Sequence, residues 1–368
     1  MLTPGFATAE GTARFRTRHE SRMPGHFRAA GDLWVSTIGL GTFLHEPTAA
    51  CDQQYAEAVA RAVALGVNHF DTAINYRHQR SERSIGTALG TMFEAGTLSR
   101  DEVILATKGG FLNFDGDVPG DASAYFHEKF LATGLIKAED VAAGCHVMSP
   151  AFLANQIDQS RQNLGVETID IYYVHNPETQ LSECSPDEFY RRLRMAFEAL
   201  EAAVAAGKIR WYGTATWNAY RQGSDSREAV SLEKVLRAAE EAGGRNHHFR
   251  AVQLPFSLAM TEALAARTQT WEGQPASPLE VALAANLAVF SSASIMQGHL
   301  SKGLPPEIRH QFPALSSDAQ CAIQFVRSTP GITCALVGMS RREHVEENLA
   351  TAKVPPLTAK EFRALFAR

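Results

Sequence analysis

Four side chains, far apart along the chain, have types that together make a proton donor: Asp71, Tyr76, Lys108 and His175. A free phenol titrates near ~10, too high to switch easily at neutral pH. A lysine ammonium beside it favours the tyrosinate and lowers that value, and a carboxylate beside the lysine keeps the lysine charged and oriented. A histidine can polarise a carbonyl or relay a proton. Such a set suits protonation of a carbonyl oxygen while a hydride reaches its carbon. It works only if the fold brings the four groups to one place.

The elements that would do so alternate along the chain. Compact apolar runs near residues 36–41, 68–71, 102–107, 169–174, 209–215, 250–254, 288–292 and 333–337 have the pattern of strands buried on both faces. Helical spacing fills 53–65, 81–94, 150–164, 186–206, 227–242, 278–287, 317–327 and 341–351. Gly66, Gly165, Gly207 and Gly243 sit where helix C-caps belong, and Ser149-Pro150 and Ser185-Pro186 give an N-cap followed by proline at the first helical position. Alternating strands and helices imply parallel βαβ units. No G-x-G-x-x-G follows the first strand, so a closed barrel is favoured over a doubly wound sheet. The expected fold is α/β, a single (β/α)₈ TIM barrel. Asp71 ends its second strand, Lys108 the third and His175 the fourth, with Tyr76 in the loop after Asp71. In such barrels the C-terminal strand ends carry the active site.

Residues 27–35, with Gly31-Asp32 at their middle, read as a small hairpin over the barrel floor. The barrel domain is placed at 27–368 and a flexible, solvated arm at 1–26. That arm is rich in arginine, as a transit peptide would be, but Glu10 and Glu20 interrupt the run and Pro24-Gly25 breaks any amphipathic helix. The long connection at 111–148 leaves the C-terminal end of the third strand, so a lid over the active site is expected there; a second long connection spans 268–277.

Composition narrows the class. The formal net charge of −5 lacks the basic excess of a nucleic-acid binder. No apolar run approaches the ~20 residues of a membrane span, and the N-terminus has no apolar signal core. The five cysteines form no C-x-x-C pair, which suggests free thiols in a reducing compartment such as the cytoplasm. His247-His248 lacks a nearby third ligand, so no metal site is expected.

The segments GVNHFDTAINY, ATKGG and IDIYYVHNPE, in that order and spacing, resemble the signature segments of the aldo-keto reductase superfamily, over roughly residues 27–352. The resemblance implies a metal-free (β/α)₈ barrel that uses NADP(H), less often NAD(H), to interconvert an aldehyde or ketone with its alcohol. It carries the catalytic roles to Asp71, Tyr76, Lys108 and His175. It carries cofactor contacts to Gly41 and Thr42 in GLGT, Gln253 in VQLPF, Gln297 and Gly298 in MQGHL, and Gly338, Ser340, Arg341, Glu347 and Asn348 in VGMSRREHVEEN. Ser340 and Arg341 would meet a 2′-phosphate, and Gln253 the nicotinamide carboxamide.

Three positions depart from the family pattern. Ala215-Thr216 stands where a Ser-Asn pair usually holds the carboxamide, so Thr216 or Asn218 takes that contact. Ser292 replaces a tyrosine that stacks on the nicotinamide. Gly338-Met339 occupies the phosphate loop. Trp217 and the 111–148 connection are the expected pocket walls. Two other readings use the same residues: a cofactor-binding regulatory subunit with little turnover, and a lyase forming a Schiff base on Lys108.

Overall fold

The computed structural model describes residues 1–367. A hairpin of β1 (Phe27–Ala30) and β2 (Leu33–Ser36) turns at Gly31-Asp32, as the sequence suggests. Eight strands then build the barrel: β3 (Ile38–Gly41), β4 (His69–Asp71), β5 (Ile104–Gly109), β6 (Ile169–His175), β7 (Ile209–Ala215), β8 (Phe249–Pro255), β11 (Ala288–Ser292) and β12 (Cys334–Gly338). A short hairpin, β9 (Gln269–Trp271) and β10 (Gln274–Ala276), fills the second long connection. The barrel closes in the order β11-β12-β3-β4-β5-β6-β7-β8, all parallel.

Burial explains why these runs are strands. Every residue of β5 and β6 is buried, so both faces must be apolar or hydrogen-bonded, and β-branched and aromatic residues fit that pleated surface. Between β7 and β8 the register shifts at Tyr212/Gly213, and a Cβ on Gly213 would run into the Ala251 carbonyl. Only glycine lets the two backbones approach that closely.

The helices end as their sequences dictate. Pro150 opens the helix Pro150–Leu164, and Gly165, at φ +69°, closes it in the left-handed conformation. Ser185 caps the helix Pro186–Ala205 by accepting from the Glu188 amide. Ser149 makes no such bond, and its hydroxyl is buried without a partner. The helix expected from residue 227 starts only at Leu232, because Ser231 is the residue that caps it.

The first residues differ most from expectation. In place of a solvated arm there is a helix, Ala9–His19, capped by Thr8 and followed by a turn at Glu20–Arg22. Pro24-Gly25 lies beyond it and ends nothing. Phe15 is fully buried, Arg14 and Arg18 both reach Glu102, and the Arg16 guanidinium lies 3.8 Å over the Trp34 ring. Gly11 faces the Asp101 carbonyl so closely that a Cβ would collide with it. The segment therefore seals the barrel floor together with the β1-β2 hairpin.

The connection at 111–148 also departs from its reading as a lid. It carries a short helix, Ala122–Phe126, and an apolar cluster of Phe130, Ile136, Val147 and Phe152. Phe114 stacks on Phe126 at 4.8 Å. This small core packs against the helix Pro150–Leu164, and of the whole connection only Phe111 reaches the central cavity. Among the described residues, no helix is long and apolar enough to cross a membrane and no cluster of metal-ligating side chains occurs. His248 pairs instead with Glu201, at 2.7 Å.

Candidate active site

Strand register sets the site. Asp71 is the last residue of β4 and pairs with Ala106, so its carboxylate lies beside the side chain of Lys108, further along β5. The Lys108 ammonium donates to Asp71 Oδ1 at 2.6 Å and to the Thr72 carbonyl at 2.7 Å, and is fully buried. Asp71 Oδ2 accepts from Gln253 Nε2 at 2.7 Å. His175 ends β6, and its neighbour Ala215 ends β7.

Tyr76 reaches the same place through a held turn. The Thr72 and Ile74 amides bond to the Ala106 and Lys108 carbonyls, which lays the loop along β5. Arg77, His78 and Gln79 then take positive φ. Such backbone is costly for non-glycine residues and persists only when surrounding contacts fix it. Here Arg77 supplies the anchor, donating to the Glu46 carbonyl and, at 2.6 Å, to Asp52. The Tyr76 ring stands 4.9 Å from Lys108 Nζ and meets His175 edge-on at 5.7 Å.

Burial dominates the titration of the group. It pushes the Tyr76 phenol up, and the pull of Lys108 in the other direction does not cancel it. The expected net lowering by lysine is therefore reversed: desolvation of a tyrosinate costs more than the ammonium returns, and Tyr76 keeps its proton at neutral pH. Burial works against the Lys108 ammonium too, but the charges of Asp71 and Tyr76 outweigh it and hold Lys108 above its ordinary value. Burial also raises Asp71, against Lys108 and Gln253. His175 is driven well below its ordinary value by burial first, then by Lys108 and His146, so its imidazole is neutral.

Behind His175 runs a chain of hydrogen bonds. Arg192 donates to Gln180 Oε1 at 2.7 Å, and Gln180 Nε2 donates to His146 Nδ1 at 2.9 Å. His146 Nε2 then donates to the His175 carbonyl at 2.7 Å. These partners leave His146 one tautomer, neutral, and burial lowers it to about 4.

A cavity of about 880 Å³ opens over the barrel rim. Asp71, Tyr76 and His175 line it, as do Gly41, Thr42, Thr216, Gln253, Ser292, Gln297, Gly298, Gly338, Glu347 and Asn348. Lys108 stays behind Asp71. Asn218 is not on the wall, because its amide is spent on Glu228 and Arg221. Ser340 is turned away to His45 Nε2, at 2.7 Å, and Arg341 is exposed outside the cavity. The structure thus brings together three of the four catalytic candidates on one wall, with the fourth directly beneath, but withdraws Asn218, Ser340 and Arg341 from it.

Trp217 lines the cavity as expected and stands half-exposed at its mouth. Several other wall residues escape sequence reasoning, among them Phe43, half-exposed at the same mouth, which meets the Tyr76 ring at 5.0 Å. His45, His299, Lys302 and His344 line the sector above β11, β12 and β3. His45 has φ +79°, a strained backbone for a residue other than glycine, and burial, Arg341, Arg77 and His344 all lower its pKa. The signal for these residues is position: each lies in the segment that follows the C-terminal end of a barrel strand, His344 in the first turn of the helix Arg342–Leu349.

Comparison with known proteins decides the family. The sequence model of the Aldo/keto reductase family matches residues 37–230, more than half of the chain. The chain belongs to the aldo/keto reductase family. This family member is 23% identical over 352 residues to an uncharacterised oxidoreductase, YqkF, of Bacillus subtilis, covering 91% of this chain and 92% of that one. It is 28% identical over 200 residues to a 6-dehydroglucose reductase of Novosphingobium aromaticivorans, a match that spans 53% of each chain. Among solved structures, an aldo/keto reductase from Klebsiella pneumoniae in complex with NADP and acetate superposes with a TM-score of 0.61 at 23% identity, covering 93% and 94% of the two chains. The holo form of an aldo-keto reductase from Bacillus halodurans gives 0.62 at 20% identity, covering 92% and 95%. These superpositions agree with the closed barrel seen here.

Proposed function

We propose that this aldo/keto reductase interconverts an aldehyde or ketone with its alcohol using NADP(H), and that Tyr76 is the proton donor. The observation that carries the reading is the Asp71–Lys108 ion pair beside Tyr76 and His175, under a cavity large enough for a dinucleotide. The wall fits such a ligand. Gly41 and Gly338 are register partners on β3 and β12, and both face the cavity, where a side chain on either would take up space. Lys302 puts a positive charge in one sector of the wall, which suits phosphates and favours the 2′-phosphate of NADP(H) over NAD(H).

When bound, the reduced nicotinamide supplies the hydride. Tyr76, kept protonated by burial, gives its proton to the carbonyl oxygen. Lys108⁺ stabilises the tyrosinate left behind, and Asp71 holds Lys108 in place. The Nδ1 of His175 is buried without a partner, so Nε2 is the atom that meets the substrate, as a neutral donor to the same oxygen. Phe43, Phe111 and Trp217 provide an apolar wall for the substrate. The Schiff-base alternative needs a neutral, accessible lysine. Lys108 is buried, doubly hydrogen-bonded and held protonated.

The test is Tyr76→Phe with a panel of aldehydes and ketones. Reductase turnover should fall by about 10²–10⁴-fold while NADPH binding, read by fluorescence titration, is kept. Full turnover in the variant would remove Tyr76 from the mechanism. In the same titration NADPH should bind more tightly than NADH, and Lys302→Ala should narrow the gap more than Arg341→Ala.

A further inference from the structure

Two of the catalytic candidates have an asparagine beside them in the chain: Asn75 precedes Tyr76, and Asn176 follows His175. Both asparagines line the cavity. Neither side-chain amide is bonded to another described residue, and Asn75 Oδ1 is buried without a partner. Local structure accounts for only one of the two. Asn176 sits at φ +42°, a conformation that asparagine tolerates better than most residues. Asn75 has φ −82°, where any residue fits, and its side chain caps no helix. A buried amide oxygen without a donor costs stability, so a plain wall position would not favour this residue type. Half a turn about the last side-chain bond exchanges the two ends of the amide, so Asn75 can offer the cavity either a donor or an acceptor.

Place in the ring sets what these amides can meet. Asn75 follows β4 and Asn176 follows β6, on either side of β5, and β11 stands four places from β5 in both directions. Among the described residues, Lys302 is the single lysine or arginine on the cavity wall; it follows β11 and so belongs to the far side. The near side holds Tyr76, His175 and the rings of Phe43, Phe111 and Trp217. No cation there would balance an anionic substituent. A hydroxyl group both donates and accepts, as an amide does. On the carbonyl-reductase reading, which this inference rests on, the carbonyl oxygen lies between Tyr76 and His175, and a group one carbon away comes to their neighbours in the chain. We infer that the substrate is a neutral α-hydroxy aldehyde or α-hydroxy ketone, its hydroxyl group held by the Asn75 and Asn176 amides and its carbon skeleton laid against the aromatic wall. The product is the vicinal diol. The carbonyl carbon takes the hydride of NADPH, which leaves as NADP⁺, and the oxygen takes the Tyr76 proton, which solvent restores. The hydroxyl group is unchanged.

The test compares hydroxyacetone with 2-butanone, in which a methyl group replaces the hydroxyl. Their intrinsic reactivities differ, so the quantity read is the ratio of their kcat/KM values in wild type and in two variants. Asn75→Leu keeps the branched shape and removes the amide, and Asn176→Gly removes the other amide while suiting its positive φ. Circular dichroism checks folding. Each variant should lower the ratio about five- to tenfold, the size of one hydrogen bond to a ligand, and the double variant should lower it further. Pyruvate, with a carboxylate in place of the hydroxymethyl group, should be reduced less efficiently than hydroxyacetone. A second reading needs no turnover. With asparagine labelled by ¹⁵N and assigned through the same variants, the side-chain signals of Asn75 and Asn176 should shift on adding hydroxyacetone with NADP⁺ and stay in place with 2-butanone. A ratio that both variants leave unchanged, amide signals that answer the two ketones alike, or a preference for pyruvate overturns the inference. Amide signals that answer hydroxyacetone alone, in a protein that reduces neither ketone, would support the hydroxyl site and overturn the reductase reading instead.

Discussion

Asp170 near the barrel floor and Asp71 at its rim each accept a charged hydrogen bond inside the protein. Asp170 takes Arg100 at 2.7 Å, the Leu105 amide at 2.8 Å and the Ala7 amide at 2.6 Å. Ala7 is fully buried, so this carboxylate is enclosed by the chain's own first residues. Asp71 takes Lys108 and Gln253 at similar distances, yet it forms part of a cavity wall. The two pairs show that a buried ion pair does not by itself mark a site of chemistry. The difference lies in the neighbours and the opening. At the floor the surrounding donors are backbone amides and an arginine, which hold a position. At the rim they are a lysine and an amide side chain, with a phenol and an imidazole alongside that can exchange protons with a ligand.

The sharpest way to separate the two regions is to remove each cation-carboxylate pair and read activity against stability. Lys108→Met should lower turnover by about 10²–10⁴-fold, as expected when a proton-transfer group loses its tuning partner. Comparable turnover in the variant would make the rim pair structural, like its counterpart below. Asp170→Ala should cost about 3–5 kcal/mol in urea unfolding, because it strands a buried arginine, with turnover per folded molecule unchanged. A large loss of turnover at native stability would break the distinction from the other side. Phe15→Ala should cost about 3 kcal/mol, since its ring is fully buried against the floor; a change near zero would return the segment to a loose arm.

A smaller effect tests both regions by pH. His26 at the floor, His69 in the barrel core and His146 behind the rim are held at about 3, 3 and 4 by burial, against an ordinary 6.5. Their folded values are depressed, so above pH 6.5 both folded and unfolded chains carry them neutral and nothing is lost. As pH falls below 6.5 the unfolded chain takes up protons that the folded one refuses, and stability drains away until about pH 4 to 3. Each contributes about 1.4 kcal/mol per pH unit in that window. His146→Gln should reduce the slope between pH 6.5 and 4.5 by one such share; an unchanged slope would mean that His146 is not held neutral. The smallest expected change is Arg16→Ala, which removes the stacking on Trp34 and should cost about 0.5–1 kcal/mol.

Much of the rim was legible because its residues sit at strand ends, and strand ends follow from apolar runs and caps that are local in sequence. Asp71, Lys108 and His175 fall within a residue of where those runs stop. The floor was not legible for the opposite reason. Residues 9–19 are polar and basic, and only their partners Asp101, Glu102 and Trp34, distant in sequence, turn them into a sealed layer. The same limit explains Asn218 and Ser340. Each lies in the right segment, but whether its side chain faces the cavity depends on Glu228, Arg221 or His45 competing for it. The 111–148 connection misled because its aromatic residues suit a lid as well as they suit the small core that they form.

The bond between Asp71 and Gln253 joins residues 182 positions apart. A contact of such separation forms late, once loop closure has been completed across about half of the chain. Asp71, Tyr76, Lys108 and His175 are all in place by the end of β6, well before β8 has been made. A nascent or truncated chain that stops short of Phe249 thus holds all four reactive side chains but not the residue that secures the second oxygen of the carboxylate. The Asp71 carboxyl group consequently serves as a clock for folding, since it gains its full set of native partners only when β8, the sixth barrel strand along the chain, has joined the ring.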